Sequence, residues 1–304
     1  MKRTLAGLVT AVTAALTLTA CGGSTDPLAN NATGQPAPTD TIIVGSADFT
    51  ESRLLAEIYA QALSAKGVKV DKKLGIGSRE AYFPGIKDGS IDLIPEYSGV
   101  LLQYLDKTAT ATDPGEVYAA LKKALPPELT VLDKASAEDK DAVVVTKETA
   151  AKYNATSIGD IAAKSGEIVF GGPPEFQQRP DGIPGLKQRY GLNFKEYKSL
   201  APGAITTKAM LDGTIQAADI FTTDSSIAAN GFVVLADPKN NFAAQNVVPV
   251  INTKKASDTV KKVLNAIAAK LDTKTLLDLN GKLDAPDKPD PSKVAGDWLK
   301  TAGI

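Results

Sequence analysis

Asp88-Gly89-Ser90-Ile91-Asp92-Leu93-Ile94-Pro95-Glu96-Tyr97-Ser98 is paralleled further along the chain by Asp212-Gly213-Thr214-Ile215-Gln216-Ala217-Ala218-Asp219-Ile220-Phe221-Thr222. Each stretch reads the same way. A glycine stops a helix, an apolar run feeds a buried strand, and the strand ends on an aromatic residue beside a hydroxyl. Asp-Gly turns are common, so chance repetition of a helix-stop-strand grammar is the plain alternative. The repetition predicts two similar lobes, each delivering the end of one strand to a common cleft.

The residues on either side extend the alternation. Thr41-Ile42-Ile43-Val44-Gly45 reads as a strand. Thr50 can cap a helix over 51–65, where Leu54, Leu55, Ile58, Ala62 and Leu63 recur at helical spacing until Gly67 stops the run. Beyond it the patterning predicts a strand at 68–74, a helix at 78–87, a strand at 91–94 and a helix at 114–125, the last started by Asp113 with proline at its first position. Strands follow at 129–132 and 142–146, a helix at 158–164, a strand at 167–171, and helices at 183–190 and 206–211. Strands at 218–221, 232–235 and 247–252 precede a helical end at 258–271, 273–280 and 292–301. Short strands alternating with helices predict an α/β fold with mainly parallel sheets.

The first residues follow a different logic. Lys2 and Arg3 precede an apolar run from Leu5, and Leu18-Thr19-Ala20-Cys21 is followed by Gly22-Gly23. This is the order of a secretory signal over 1–20. Leu-Thr-Ala-Cys resembles the lipobox of bacterial lipoproteins, in which the cysteine is acylated and the chain is cut just before it. The bland alternative is a buried apolar helix that ends at a cysteine. The run from 5 to 20 falls short of the ~20 apolar residues a spanning helix needs. The expectation is a mature chain beginning at Cys21, outside the cytoplasm and held to a membrane by lipid. Residues 21–40, rich in Gly, Pro, Asn and Thr, read as a flexible tether.

Composition removes several chemistries. Loss of Lys2 and Arg3 with the signal lowers Lys+Arg from 34 to 32 against 35 Asp+Glu, and that slight acidic excess argues against nucleic acid as a partner. Cys21 is the only cysteine, so no thiol remains for a disulfide, a nucleophile or a thiolate metal site. Histidine is absent, which excludes Ser-His-Asp and Cys-His catalysis and imidazole metal sites. Carboxylate chemistry stays open. A 43% hydrophobic content supplies an ample core without disulfides.

Several segments, in order, resemble the ProX-like solute-binding lipoproteins of osmoprotectant ABC transporters, which bind glycine betaine, choline and related compounds. They are Val44-Gly45-Ser46-Ala47-Asp48-Phe49-Thr50-Glu51-Ser52, Gly75-Ile76-Gly77-Ser78-Arg79-Glu80, Gly89 through Gly99 around Pro95-Glu96-Tyr97-Ser98, and Phe221-Thr222-Thr223-Asp224. The resemblance covers about 41 to 298. It implies a type II periplasmic-binding-protein fold, with two α/β lobes joined by two crossing segments and closing on ligand. Lobe 1 would hold 41–146 plus 250–304, and lobe 2 would hold 147–249. It also implies a monomer that works with an ABC permease and its ATPase and needs no cofactor or metal.

Ligand recognition in that family rests on an aromatic cage around a quaternary ammonium, with Arg, Lys or backbone N–H groups meeting a ligand carboxylate. Tyr97 matches a cage tyrosine and Phe221 falls where another ring belongs. Two further cage positions hold Glu80 and Ile183, so Tyr82, Phe49 or Phe176 would have to supply rings. The candidate ligand-binding set is Asp48, Phe49, Thr50, Ser78, Arg79, Glu80, Tyr97, Phe176, Gln177, Arg179, Phe221 and Thr222. Each has a structural alternative. Asp48 and Thr50 can simply cap the first helix, and Arg79 and Glu80 can form a solvent-facing pair. Tyr97 and Phe221 can be core, and the loop carrying Phe176, Gln177 and Arg179 can be a surface turn. Two other classes remain. One is a hydrolase using Glu80 and Glu96 as paired carboxylates; the other is an adhesion or signalling lipoprotein on the same scaffold.

Overall fold

The computed structural model describes residues 40–304; the expected signal segment 1–20, the Cys21 lipidation site and the tether up to residue 39 lie outside the described residues. The strands are β1 (Ile42–Gly45), β2 (Val70–Lys73), β3 (Leu93–Tyr97), β4 (Leu129–Val131), β5 (Asp141–Val145), β6 (Val169–Gly172), β7 (Glu196–Ser199), β8 (Ala217–Phe221), β9 (Val233–Val234) and β10 (Val247–Asn252). They form two five-stranded sheets, ordered β2-β1-β3-β10-β4 and β7-β6-β8-β5-β9. The two echoed sequences supply β3 and β8, the central strand of each sheet. Both run out of a left-handed glycine, Gly89 at φ 85° and Gly213 at φ 69°, a conformation that glycine adopts without a Cβ penalty.

The sheets are mixed rather than mainly parallel. β1 runs parallel to β2 and β3, whereas β10 is antiparallel to β3 and β4. Likewise β6 is parallel to β7 and β8, and β5 is antiparallel to β8 and β9. The reversed strands are the two that arrive from the other lobe. Their approach is an antiparallel pair of crossing segments: Ala135 N–H donates to Val247 O (2.9 Å), Val247 N–H to Ala137 O (3.0 Å) and Asp139 N–H to Gln245 O (3.2 Å). β5 therefore pairs in the second sheet, so the boundary drawn at 146 falls one strand too late. The return boundary at 249 falls inside β10.

The first core gathers around helix α1 (Thr50–Ala65). Its Leu54, Leu55, Ile58 and Leu63 are fully buried against β1, β3 and the helices Asp258–Ala268, Thr273–Leu283 and Pro291–Ala302. In the second sheet strand alternation separates two cores. Val143, Val145, Phe170 and Ala217 face one side, and Ala142, Val144, Ala218 and Ile220 the other. Thr50 does not cap α1. Phe49 occupies the cap position with no side-chain bond, and the Ser52 hydroxyl accepts from Ala47 N–H (3.0 Å), holding the turn from inside the helix. Helices α2 (Arg79–Asp88) and α3 (Ser98–Leu105) complete the first lobe's approach to the cleft. Among the described residues no helix is long and apolar enough to cross a membrane.

Candidate functional site

The C-terminal ends of β3 and β8 open into a cleft of about 530 Å³ between the two sheets, the place where open α/β sheets bind ligands. Phe49, from the loop after β1, lies between Tyr97 and Phe221, with ring centroids 6.0 Å and 5.3 Å away. Tyr97 and Phe221 both line the cleft, and each ring lies against Phe49. One ring of the three, Phe221, comes from the second lobe.

Tyr97 is fixed from behind. Its hydroxyl donates to the Glu51 carboxylate (2.6 Å), which also accepts from the Thr223 hydroxyl (2.6 Å) and the Asn280 side-chain amide (2.5 Å). Thr223 follows β8, so this carboxylate ties the two lobes together. Burial pushes Glu51 above the ordinary carboxylate range against the pull of these donors. Asp139, on the crossing segment, is pushed up first by burial and next by the charge of Glu51.

Arg79 lies against Glu96 in a buried fork. Its Nε donates to Oε1 (2.8 Å) and its Nη2 to Oε2 (2.7 Å), while the Tyr82 hydroxyl reaches Oε1 (2.6 Å) and Tyr97 N–H reaches Oε2 (3.0 Å). The side chains are 6% and 1% exposed, which overturns the reading of Arg79 as a solvent-facing residue. Burial would lower the Arg79 pKa, and Glu96 outweighs it. Glu96 is thus enclosed by four donors, and Glu80 accepts its hydrogen bonds elsewhere, from Ser78 and Arg179.

Glu80 sits at the rim rather than on the cleft wall. It accepts from the Ser78 hydroxyl (2.7 Å) and from Arg179 of the other lobe (3.3 Å), bordering a recess of about 250 Å³ that adjoins the cleft across Arg79 and Arg179. Its partial burial raises the pKa, but Arg179 and Ser78 together hold the carboxyl below its usual range. Asp48, Ser78, Arg79 and Arg179 do line the cleft.

Four of the candidates lie elsewhere. Phe176 is 1% exposed and stacks on Phe170 (5.9 Å) in the second lobe's core, because its short 3₁₀ turn points inward. Gln177, its neighbour, faces solvent. Thr222 accepts from Lys140 N–H (2.9 Å), pinning the crossing segment rather than facing ligand. Thr50 borders a different cavity. Ile183 packs on the second core.

Sequence reasoning missed the floor of the second lobe. Asp141 stands opposite Phe221 in the β5–β8 register and accepts from the Gln245 amide (3.0 Å). With Asp181 and Asp219 it forms a buried acidic group beneath Arg179. Burial pushes all three up, with mutual repulsion adding to it for Asp181 and Asp219; Asp181 reaches about 7. A signal was present, since charged residues seldom interrupt buried strands such as Asp-Ala-Val-Val-Val and Ala-Ala-Asp-Ile-Phe without a role.

Two mixed sheets joined by paired crossing segments, with a ring-lined cleft at their strand ends, are the arrangement of a type II periplasmic binding protein. The chain belongs to the family described as the substrate binding domain of ABC-type glycine betaine transport systems, whose model matches residues 40–301. It is 30% identical over 275 residues to the glycine betaine-binding protein YehZ of Escherichia coli (strain K12), covering 86% of this chain and 90% of that protein. The structure of apo YehZ superposes with a TM-score of 0.60 at 29% identity, over 86% of this chain and 99% of that one. A glycine-betaine-binding protein of Pseudomonas aeruginosa (strain PAO1) is 27% identical over 278 residues, 87% of this chain and 88% of that protein. The fold is matched again, at a TM-score of 0.69 and 23% identity, by the structure of a glycine betaine/carnitine/choline ABC transporter, over 86% of this chain and 98% of that chain.

Proposed function

We propose that this protein captures a quaternary-ammonium solute of the betaine type outside the cytoplasm and delivers it to an ABC permease and its ATPase. The observation that carries this reading is the contact of Phe49 with Tyr97 and Phe221 at the cleft, with rings drawn from both lobes. A quaternary ammonium cannot donate a hydrogen bond and is recognised by ring faces, an interaction worth about 2 kcal/mol when desolvated. Arg179, lining the same cleft, suits a ligand carboxylate. The names of the relatives in two organisms point to the same solute class.

The protein acts as a monomer whose lobes close about the crossing segments. Lipid on Cys21 and the tether over 21–40 keep it at high effective concentration beside its permease. The test is calorimetric titration and thermal shift with glycine betaine, choline and carnitine. At a hundredfold excess over Kd, a native-state ligand adds about 2.7 kcal/mol of stability, and Phe221→Ala should remove most of that gain. Absence of stabilisation by every quaternary ammonium tried would overturn the reading. Cys21→Ser should move the protein out of the membrane fraction of cells.

A further inference from the structure

Glu51 stands at the junction of the three segments that carry the rings. It follows Phe49 by two residues in the chain, it accepts from the Tyr97 hydroxyl (2.6 Å), and it accepts from Thr223 (2.6 Å), which follows Phe221 by two residues. One buried carboxylate is therefore bonded to, or two positions from a residue of, every segment in the ring contact.

Thr223 commits all of its polar groups at this junction. Its N–H donates to Asp139 of the crossing segment (3.1 Å), its hydroxyl donates to Glu51, and its carbonyl accepts from the Asn280 amide (3.2 Å) on the helix Thr273–Leu283. The same amide donates to Glu51 (2.5 Å), which closes a cycle of hydrogen bonds among Glu51, Thr223 and Asn280. All three residues are buried; Thr223 belongs to the second lobe, and the other two belong to the first. Next to them Thr222 N–H donates to Lys140 O (2.9 Å) and Lys140 N–H to the Thr222 hydroxyl (2.9 Å). Glu51, Thr223 and Asn280 border a neighbouring cavity rather than the cleft itself. A ligand held in the cleft therefore touches none of them.

The junction lies against a crossing segment, where rotation of one lobe on the other moves atoms least. A second-lobe ring left free of such ties would meet its first-lobe partners only part of the time. Affinity falls in proportion to the fraction of molecules whose site is assembled.

We propose that Glu51 is the positioning residue of the ring site. By holding both Tyr97 and the chain that follows Phe221, it keeps the rings together in the ligand-free protein, so that ligand enters a site already assembled. This rests on the reading of the rings as the quaternary-ammonium site. Affinity then depends on a hydroxyl, that of Thr223, which the ligand never meets.

The test is calorimetric titration with glycine betaine and choline of the wild type, Thr223→Val, Thr223→Ser, Tyr97→Phe and the double variant Thr223→Val with Tyr97→Phe, each checked for folding by circular dichroism at the titration temperature. Thr223→Val removes one end of the link, and Tyr97→Phe removes the other while keeping the ring. Each should weaken binding about tenfold, the scale of one hydrogen bond to a charged group. Thr223→Ser keeps the hydroxyl and should stay within about twofold of the wild type. The two ends act in series through one carboxylate, so the double variant should lose about tenfold rather than a hundredfold. Tyr97→Phe decides the matter alone where Thr223→Val does not fold. A lower Tm with unchanged affinity of the folded single variants, or losses that multiply in the double variant, overturns the role of Glu51; Phe221→Ala still weakens binding in that case, and the ring site stands. Failure of the wild type to bind either compound overturns both.

Discussion

Replacing Glu96 by alanine should be among the most damaging single changes near the cleft. The carboxylate is 1% exposed and receives four hydrogen bonds, two of them from the equally enclosed Arg79. Removing one partner of a buried ion pair costs about 3–5 kcal/mol, because the remaining charge keeps its desolvation penalty. The Tyr82 hydroxyl and the Tyr97 N–H lose their acceptor at the same time. Against a total stability of about 5–15 kcal/mol this is a large fraction, and at about 2–4 °C per kcal/mol it lowers Tm by roughly 10 °C. The double variant Arg79→Met with Glu96→Leu should recover most of the loss, since an apolar pair of similar volume replaces a buried ion pair at little cost. Urea unfolding of the wild type, both single variants and the double variant closes the cycle. A loss under about 1 kcal/mol for Glu96→Ala, or a double variant as poor as the sum of the singles, would show that the fork is solvated and refute the reasoning.

Phe176→Ala should cost about 3–5 kcal/mol of stability, the cost of emptying a core ring site, while the folded protein keeps its ligand affinity; a binding loss without a stability loss would return Phe176 to the cleft. Glu80→Gln should change affinity by no more than about 1 kcal/mol, with a difference that shrinks in high salt, since its bond to Arg179 is half exposed and acts only through lobe contact; titrations at two ionic strengths measure it. Asp181 is held from its ordinary 3.8 up to about 7, chiefly by burial and next by Asp141. The native state thus keeps a proton that the unfolded chain releases, so stability should fall as pH rises from about 4 to about 7 and level off above. Asp181→Asn should reduce that slope in urea midpoints taken across the range, with Glu51, Asp139, Asp141 and Asp219, raised in the same direction, supplying what remains.

The sequence carried the architecture well where burial and turn chemistry agreed. Gly89 and Gly213 mark real left-handed stops, and the run Val247–Asn252 is one strand with the bounds its β-branched residues suggest. Legibility failed where an element lacked its own apolar signal. β7, Glu-Tyr-Lys-Ser, is a half-exposed edge strand held only by pairing with β6. Helix α3 begins directly on the end of β3 with no capping side chain, so nothing local marks its start and the sequence reading places no element there. The site followed the same rule. Tyr97 and Phe221 stand at the ends of β3 and β8, which the apolar runs before them mark out, and Arg179 lines the same cleft from a loop with no such marker. Phe176 and Glu80 could not be placed from local sequence, since which way a loop ring turns and whether a carboxylate meets an arginine from the other lobe are decided by long-range packing. Asp141 belonged to the site by its register with Phe221, which only the sheet reveals.

The paired crossing segments also set an order of assembly. Every strand of the second sheet lies in one uninterrupted stretch, from Asp141 to Val234, so that sheet can close on itself as soon as this stretch of chain is available. The first sheet cannot. Its central strand β3 pairs on one side with β10, which follows the whole second lobe in sequence, and its core helix α1 packs against the last helices of the chain. Contacts between such distant segments form slowly because loop closure must precede them. The half of the molecule that is synthesised first is therefore the half that finishes folding last. Until the C-terminal helices arrive, Leu54, Leu55 and Ile58 of α1 have only part of their apolar cover, and a chain cut short before β10 leaves that surface open to aggregation.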